Sequence, residues 1–236
     1  MQRYFAKEKC DNFFTLNDDD IYHIKTVMRM NQNDSIEVVY NEKLYICKVD
    51  LKTKKFEIIK EEDNDIKKQN IVLVIPLLKE QKMDLVLQKS TELGVSEIIP
   101  IITERSVIKI DNKGFEKKKE RWMKICKEAS EQSKRLDVPI IHNLMKIDEL
   151  KRLDGVKLVC STTEKDKNLK FFLQTPNICD KIILAVGPEG GFTLKEEEDF
   201  ISANFQKVSL GNRIMRVETV PIFVLSILNY EYMEWL

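Results

Sequence analysis

The sequence predicts an α/β protein in two parts, a small β-rich unit at the amino end and a larger unit built on a parallel sheet covered by helices. Three observations carry this. Short runs of alternating apolar and polar residues fill the first sixty positions. Glu61 to Asn70 is charged and has almost nothing to bury. From Ile71 onward, strand-like apolar runs alternate with helical ones.

Asn17 followed by Asp18, Asp19 and Asp20 reads as a helix cap with acids in the first turn, where the helix dipole favours them. Ile21, Ile24, Val27 and Met28 then recur at helical spacing. Ser35 to Tyr40, Leu44 to Val49 and Lys55 to Ile59 alternate apolar and polar residues between short polar connections, the pattern of a small antiparallel sheet. The unit resembles a small barrel. A boundary at Ile66 divides residues 1–66 from residues 67–236. Ile71 to Ile75 is a continuous apolar run, as in a strand buried on both faces. Met83 to Leu93 is helical and ends at Gly94, Glu97 to Ile102 is strand-like, and Phe115 to Gln132 is a long amphipathic helix. Further strands are expected at Lys157 to Cys160, Lys181 to Val186 and Lys207 to Leu210. Proline is tolerated in a helix only within the first turn, so Pro221 sets the start of the last helix at Glu218 or Thr219.

Composition excludes several function classes. The 236 residues carry 39 basic and 39 acidic side chains, so a uniformly basic nucleic-acid coat is ruled out and any polyanion must be met by a local patch. No apolar run approaches the about 18 residues of a membrane helix, and the first residues lack the apolar core of a signal peptide, so a cytoplasmic protein without membrane association is expected. The five cysteines are scattered, and the two histidines, His23 and His142, stand outside any metal-ligand spacing. This argues against disulfide frameworks, metal sites and His-dependent catalysis.

Glycine placement is the most informative feature for function. Of seven glycines, four lie between positions 187 and 211, in two clusters that each follow a predicted strand. In an open α/β sheet, ligands bind beyond the carboxyl ends of the strands, where glycine lets the backbone approach them. Gly187-Pro-Glu-Gly-Gly191 lacks the lysine of a phosphate-binding loop and the spacing of dinucleotide folds, and Glu189 would repel a polyphosphate, so a neutral or cationic ligand is favoured. The same segment reads equally as a tight turn into a helix capped by Thr193 with Glu196 and Glu197 in its first turn. In the second cluster, Arg213 and Glu218 are either ligand-facing or an ion pair that ties the loop down.

Gly187-Pro-Glu-Gly-Gly-Phe192 and Ser209-Leu-Gly-Asn-Arg-Ile-Met-Arg-Val-Glu-Thr219 resemble the paired carboxy-terminal motifs of the bacterial 16S ribosomal RNA uracil-N3 methyltransferases, the RsmE family of the SPOUT superfamily. Arg3-Tyr-Phe5, His23 to Arg29, Lys82 to Gly94, Glu104-Arg-Ser106 and Glu131 to Ser133 with Arg135 agree, so the resemblance covers nearly the whole chain. Departures are Met215 for a usual Leu, Lys134 for a common Gly, and Val220-Pro221 for small residues.

The resemblance implies a PUA-like RNA-binding barrel followed by a SPOUT domain tied in a trefoil knot, in a homodimer. It implies S-adenosylmethionine as cofactor and 16S rRNA or the small ribosomal subunit as partner. Cofactor contacts fall to Gly187, Glu189, Gly190, Leu210, Gly211, Arg213, Ile214 and Met215, with core packing the alternative for the last two. Arg216 and Glu218 are the catalytic candidates. An arginine is too basic to take a proton at neutral pH, so Arg216 suits stabilising a uridine anion, while Glu218 suits accepting the proton or orienting Arg216. RNA contacts fall to Arg3, His23, Arg29, Arg105, Lys117, Arg121, Lys124 and Arg135. From Glu104 to Arg135 there are 11 basic and 6 acidic residues, and at about 100° per residue Lys117, Arg121, Lys124 and Arg135 share one helix face. A solvated surface helix is the alternative there, as a packed histidine is for His23. A non-catalytic RNA-binding module, or a SPOUT enzyme for another RNA, are the competing functions.

Overall fold

A computed structural model describes residues 1–63, 70–106, 108, 110–174 and 181–232. The chain forms two compact units, one of Met1–Lys67 with Lys127–Val138 and one of Lys68–Cys126 with Pro139–Leu236. The boundary expected at Ile66 lies outside the described residues. Residues 127–138 were expected in the second part and group with the first.

The first unit is a curled six-stranded sheet. In chain order its elements are β1 (Arg3–Phe5), β2 (Glu8–Cys10), β3 (Phe13–Thr15), α1 (Asp18–Tyr22), β4 (Ser35–Tyr40), β5 (Lys43–Asp50) and β6 (Lys55–Glu62), with strand order β1-β4-β5-β6-β3-β2. Only β1 and β4 pair in parallel. Alternation puts one side chain in two inward, and Tyr4, Phe14, Ile36, Val38, Cys47, Val49 and Phe56 form the core. Asn17 caps α1 by accepting from Asp20 N at 2.8 Å. After α1 the chain widens into a π-helical turn, His23–Val27. The extra residue per turn rotates the end of the segment, so Val27 and Met28 are exposed rather than buried as their spacing predicted.

Charge is used structurally in this unit. Arg3 is buried, donates from Nε to Glu37 Oε2 at 2.8 Å and binds the carbonyls of Lys134 and Arg135. Lys134 takes φ +62°, the left-handed conformation that glycine adopts at helix ends, and its ammonium also meets Glu37 at 2.9 Å. Lys127 bridges the buried acids Asp20, at 2.5 Å, and Glu131, at 2.8 Å.

The second unit carries β7 (Asn70–Pro76), α2 (Glu80–Glu92), β8 (Glu97–Ile101), α3 (Asn112–Gln132, shared with the first unit), β9 (Ile140–Ile141), β10 (Val156–Cys160), α4 (Leu169–Leu173), β11 (Lys181–Ala185), α5 (Leu194–Ser202), β12 (Gln206–Val208) and α6 (Thr219–Tyr232). All six strands are parallel, in the order β12-β10-β11-β7-β8-β9. β7 is buried along Ile71 to Pro76, which explains its unbroken apolar run. Val72, Val74, Ile99, Val159, Ile183 and Ala185 meet Leu150, Phe200 and Phe205 on one face. Buried Lys157 donates to the carbonyls of Leu150, Lys151 and Ala203, capping a 3₁₀ helix (Ile147–Arg152) and the end of α5, and burial holds its pKa below the usual lysine range. β12 ends at Val208, two residues earlier than its apolar pattern suggested, because Ser209 and Leu210 have turned into a loop.

Burial pushes the Glu37 carboxyl upward in pKa, and its bonds to Lys134 and Arg3 more than reverse this, leaving it below the ordinary range. A depressed carboxylate stabilises the fold at neutral pH, and that contribution is lost as pH falls through its folded pKa. Glu37→Gln is therefore expected to cost about 2 kcal/mol at pH 7 by urea unfolding. The gap from wild type should close in acid, below the pKa of Glu37.

Candidate functional site

β10 lies between β11 and β12, with Val159 opposite Ala185 and Cys160 opposite Val208. Three loops therefore leave the sheet at one height, residues 161–165, 186–192 and 209–217, and together line a cavity of about 910 Å³. This is the carboxyl-end crevice where open α/β sheets bind ligands. Among residues expected at the ligand, Gly187, Glu189, Gly190, Leu210, Gly211, Arg213, Ile214, Met215 and Arg216 all line it. Lys82 of α2 and Arg105, after β8, complete one side.

The first glycine loop serves both purposes considered for it. It lines the cavity, and it enters a capped helix, with Thr193 Oγ1 accepting from Glu196 N at 3.2 Å while Glu196 Oε2 accepts from Thr193 N at 2.8 Å. The other oxygen of buried Glu196 accepts from Glu104 N at 2.7 Å, which fixes the loop that carries Arg105. Arg105 Nη1 then donates to the carbonyls of Gly190 at 2.6 Å and Phe192 at 3.4 Å. Glycine suits position 190 because a Cβ there would meet the Arg105 Cδ at 3.2 Å.

The 161–165 loop is anchored by Glu197, one residue further along α5. Its carboxylate accepts from Ser161 Oγ at 2.6 Å, Thr163 Oγ1 at 2.9 Å and Lys207 Nζ at 2.5 Å. Burial raises its pKa, and these bonds outweigh it to hold the group ionised. Sequence reasoning missed this anchor and this third loop. Ser161-Thr-Thr163 has no glycine and no motif spacing, and its partners lie more than thirty positions away.

In the second glycine loop, Gly211 has φ +106°, and a Cβ there would meet nothing within 4 Å. Conformation rather than crowding calls for glycine at this turn. Ile214 is 87% exposed, so it is a cavity-wall residue and not core packing. Arg213 and Arg216 are exposed at the cavity, and their guanidinium groups make no hydrogen bond or ion pair to other described residues. The possible Arg213 to Glu218 pair does not form. Glu218 turns to Lys82, at 3.4 Å, and its side chain is not part of the cavity wall. Lys82 also meets Glu189 at 2.9 Å. Its hydrogen bond to the accepting Glu189 carboxylate raises the Lys82 pKa, while Glu189 itself is pushed up by burial and pulled below the usual range by Lys82.

The chemistry on offer is binding and positioning. No histidine lines the cavity, and burial pushes the Cys160 thiol up to about 12, so it is a poor nucleophile at neutral pH. Among the described residues no group of three or more His, Cys, Asp or Glu is arranged to hold a metal ion.

The residues expected to contact RNA are dispersed. Arg3 requires correction: it is buried, and its guanidinium is engaged by Glu37 and two carbonyls. His23 is half-buried, with Nδ1 2.9 Å from the Tyr4 hydroxyl, and Arg29 is exposed at φ +51°. Arg105 belongs to the cavity. Lys117 and Lys124 are exposed on α3, whereas Arg121 is paired with Asp84 at 2.5 Å and Glu80 at 3.1 Å. α3 ends at Gln132, so Arg135 does not continue its face and pairs with Asp137 at 3.1 Å.

Known proteins with this architecture share both parts of the chain. Residues 65–229 match the family described as RNA methyltransferase domain, and residues 16–62 match the RNA methyltransferase PUA domain. Fold, crevice and both matches define the class as an RNA methyltransferase with a PUA domain. Ribosomal RNA small subunit methyltransferase E of Bacillus subtilis is 34% identical, with 98% of this chain and 97% of that protein covered. The protein of the same name from Mesomycoplasma hyopneumoniae is also 34% identical, over 96% and 98%. The crystal structure of ribosomal RNA small subunit methyltransferase E from Neisseria gonorrhoeae bound to S-adenosyl methionine has a TM-score of 0.87 and 31% identity, covering 98% and 97% of the two chains. The chain belongs to the ribosomal RNA small subunit methyltransferase E family.

Placing a Cβ at the φ of Gly211 strains the loop. Gly211→Ala is expected to lower stability by about 1–2 kcal/mol in urea unfolding. Gly190→Ala should cost less, because the neighbouring Arg105 side chain can move aside.

Proposed function

We propose that this protein methylates N3 of a uridine in 16S rRNA of the small ribosomal subunit, using S-adenosylmethionine. The observation that carries the proposal is the convergence of both glycine loops on one cavity, in a chain 31% identical to a protein crystallised with that cofactor. The residues fit the cofactor. Val186, Leu210, Met215 and Val220 give apolar wall for an adenine, and glycine-rich backbone offers N–H and C=O groups for its polar edge. Glu189 suits a cationic ligand and disfavours a polyphosphate.

When bound, S-adenosylmethionine supplies an electrophilic methyl group on a sulfonium. The loops lining the cavity would hold it, and alignment with the nucleobase is the main demand on the protein. The uncommitted guanidinium of Arg216 stabilises the negative charge that uridine gains as N3 passes its proton to solvent water. Glu218, turned toward Lys82, is assigned to positioning in place of proton transfer.

We assign residues 1–66 to a PUA-like RNA-binding domain, with Lys127–Val138 grouped on it, and residues 67–236 to a SPOUT methyltransferase domain with a trefoil knot. Exposed Arg29 supports RNA contact by the first, and Lys117 and Lys124 by the second. A homodimer is supported by α6, an apolar helix that leaves Phe223 and Tyr230 exposed. No helix of the described residues is long and apolar enough to cross a membrane, and a ribosomal RNA substrate supports a cytoplasmic location.

Purified protein should bind S-adenosylmethionine in calorimetry and create a primer-extension stop on small-subunit RNA, since an N3 methyl blocks the pairing edge. Failure of either overturns the proposal. Arg216→Ala should reduce methyl transfer by about 100-fold while changing cofactor affinity little. Phe223→Asp combined with Tyr230→Asp should convert a dimer to a monomer in light scattering; an unchanged mass would place the interface elsewhere.

A further inference from the structure

Lys82 joins segments that are remote in sequence. It lies in the first turn of α2, a helix anchored by fully buried Met83, Val86 and Leu87. Its ammonium stands 2.9 Å from Glu189 Oε1, at the tip of the first glycine loop, and 3.4 Å from Glu218 Oε2, where the second loop enters α6. The side chain of Glu218 is only 15% exposed, and Lys82 is the cation paired with it among the described residues. Arg105 secures the first loop independently, whereas the second is tied at its start, through Ser209 N to Lys167 O at 2.8 Å and Leu169 N to Ser209 O at 3.0 Å, and within its turn Gly211 N meets Ser209 Oγ at 3.3 Å.

We infer that Lys82 is a positioning residue that straps the two glycine loops to α2 and to each other, setting the width of the cavity before any ligand arrives. The inference deepens the proposed function and rests on it for the identity of the ligand. One ammonium shared by two carboxylates couples the loops: releasing one acid leaves the cation held by the other alone, and removing the cation releases both and leaves Glu218 as a nearly buried charge without its partner. Separate anchors would make the loops open independently. A shared one makes them open together.

The amides of Gly191, bonded to Pro188 O at 2.8 Å, and Thr219, bonded to Arg216 O at 2.9 Å, report on the two loops without any ligand. In hydrogen exchange on the ligand-free full chain, Lys82→Met should accelerate both amides by about tenfold and Lys82→Arg should restore them. Unchanged exchange, or acceleration of one amide alone, overturns the strap. In calorimetry, Lys82→Met should weaken S-adenosylmethionine and its demethylated product by the same factor, about tenfold. Adding Glu218→Gln to Lys82→Met should weaken them little further, and full additivity would overturn the shared anchor. A wild-type protein that takes up no cofactor while its loop amides respond as stated sinks the proposed function and leaves the strap standing.

Discussion

The parallel pairing of β10 with β11 on one side and β12 on the other holds the cavity together. These three strands follow one another along the chain, and the register sets Cys160 beside Val208 and Val159 beside Ala185. Each loop beyond them therefore starts from the same edge of a rigid sheet. A one-residue slip would reverse the face of every side chain, and strands buried as fully as β10 and β11 do not permit it. The walls of the cavity inherit their placement from this hydrogen-bonded row.

Carboxylates then turn loops into a fixed surface. Glu196 holds the turn at Thr193 and the segment carrying Arg105, while Glu197 holds the Ser161 to Thr163 turn and Lys207. They are successive residues of α5 and both are buried, and every one of their carboxylate oxygens has a donor. Among the described residues that line the cavity, Arg213 and Arg216 are guanidinium charges left without partners. Committed and uncommitted cations thus separate structure from function, and the same division runs through the first unit, where Arg3 is committed and Arg29 is exposed.

Much of the architecture was legible in order along the chain. The apolar run of β7 marked a strand buried on both faces, Asn17 and Thr193 marked helix starts, Gly94 marked a helix end, and Pro221 dated the start of α6. These signals are local, because capping, proline geometry and side-chain period act over a few residues. The glycine loops were legible for the same reason. Where local reading failed, a neighbouring turn intervened: the π-helical turn rotated Val27 and Met28 to solvent, and Arg135, three residues beyond the end of α3 at Gln132, does not continue its basic face.

The sequence by itself determined the α/β class, most element positions, the two ligand loops and the family. Only the tertiary structure decided which charges are available. Arg3, Arg105 and Arg121 are indistinguishable from Arg216 by residue type, and their partners, Glu37, the Gly190 carbonyl and Asp84, lie 34, 85 and 37 positions away. Lys82 likewise meets Glu189 across 107 positions. Periodicity carries no information over such distances, since an ion pair depends on where two backbones are brought together by the packing of everything between them.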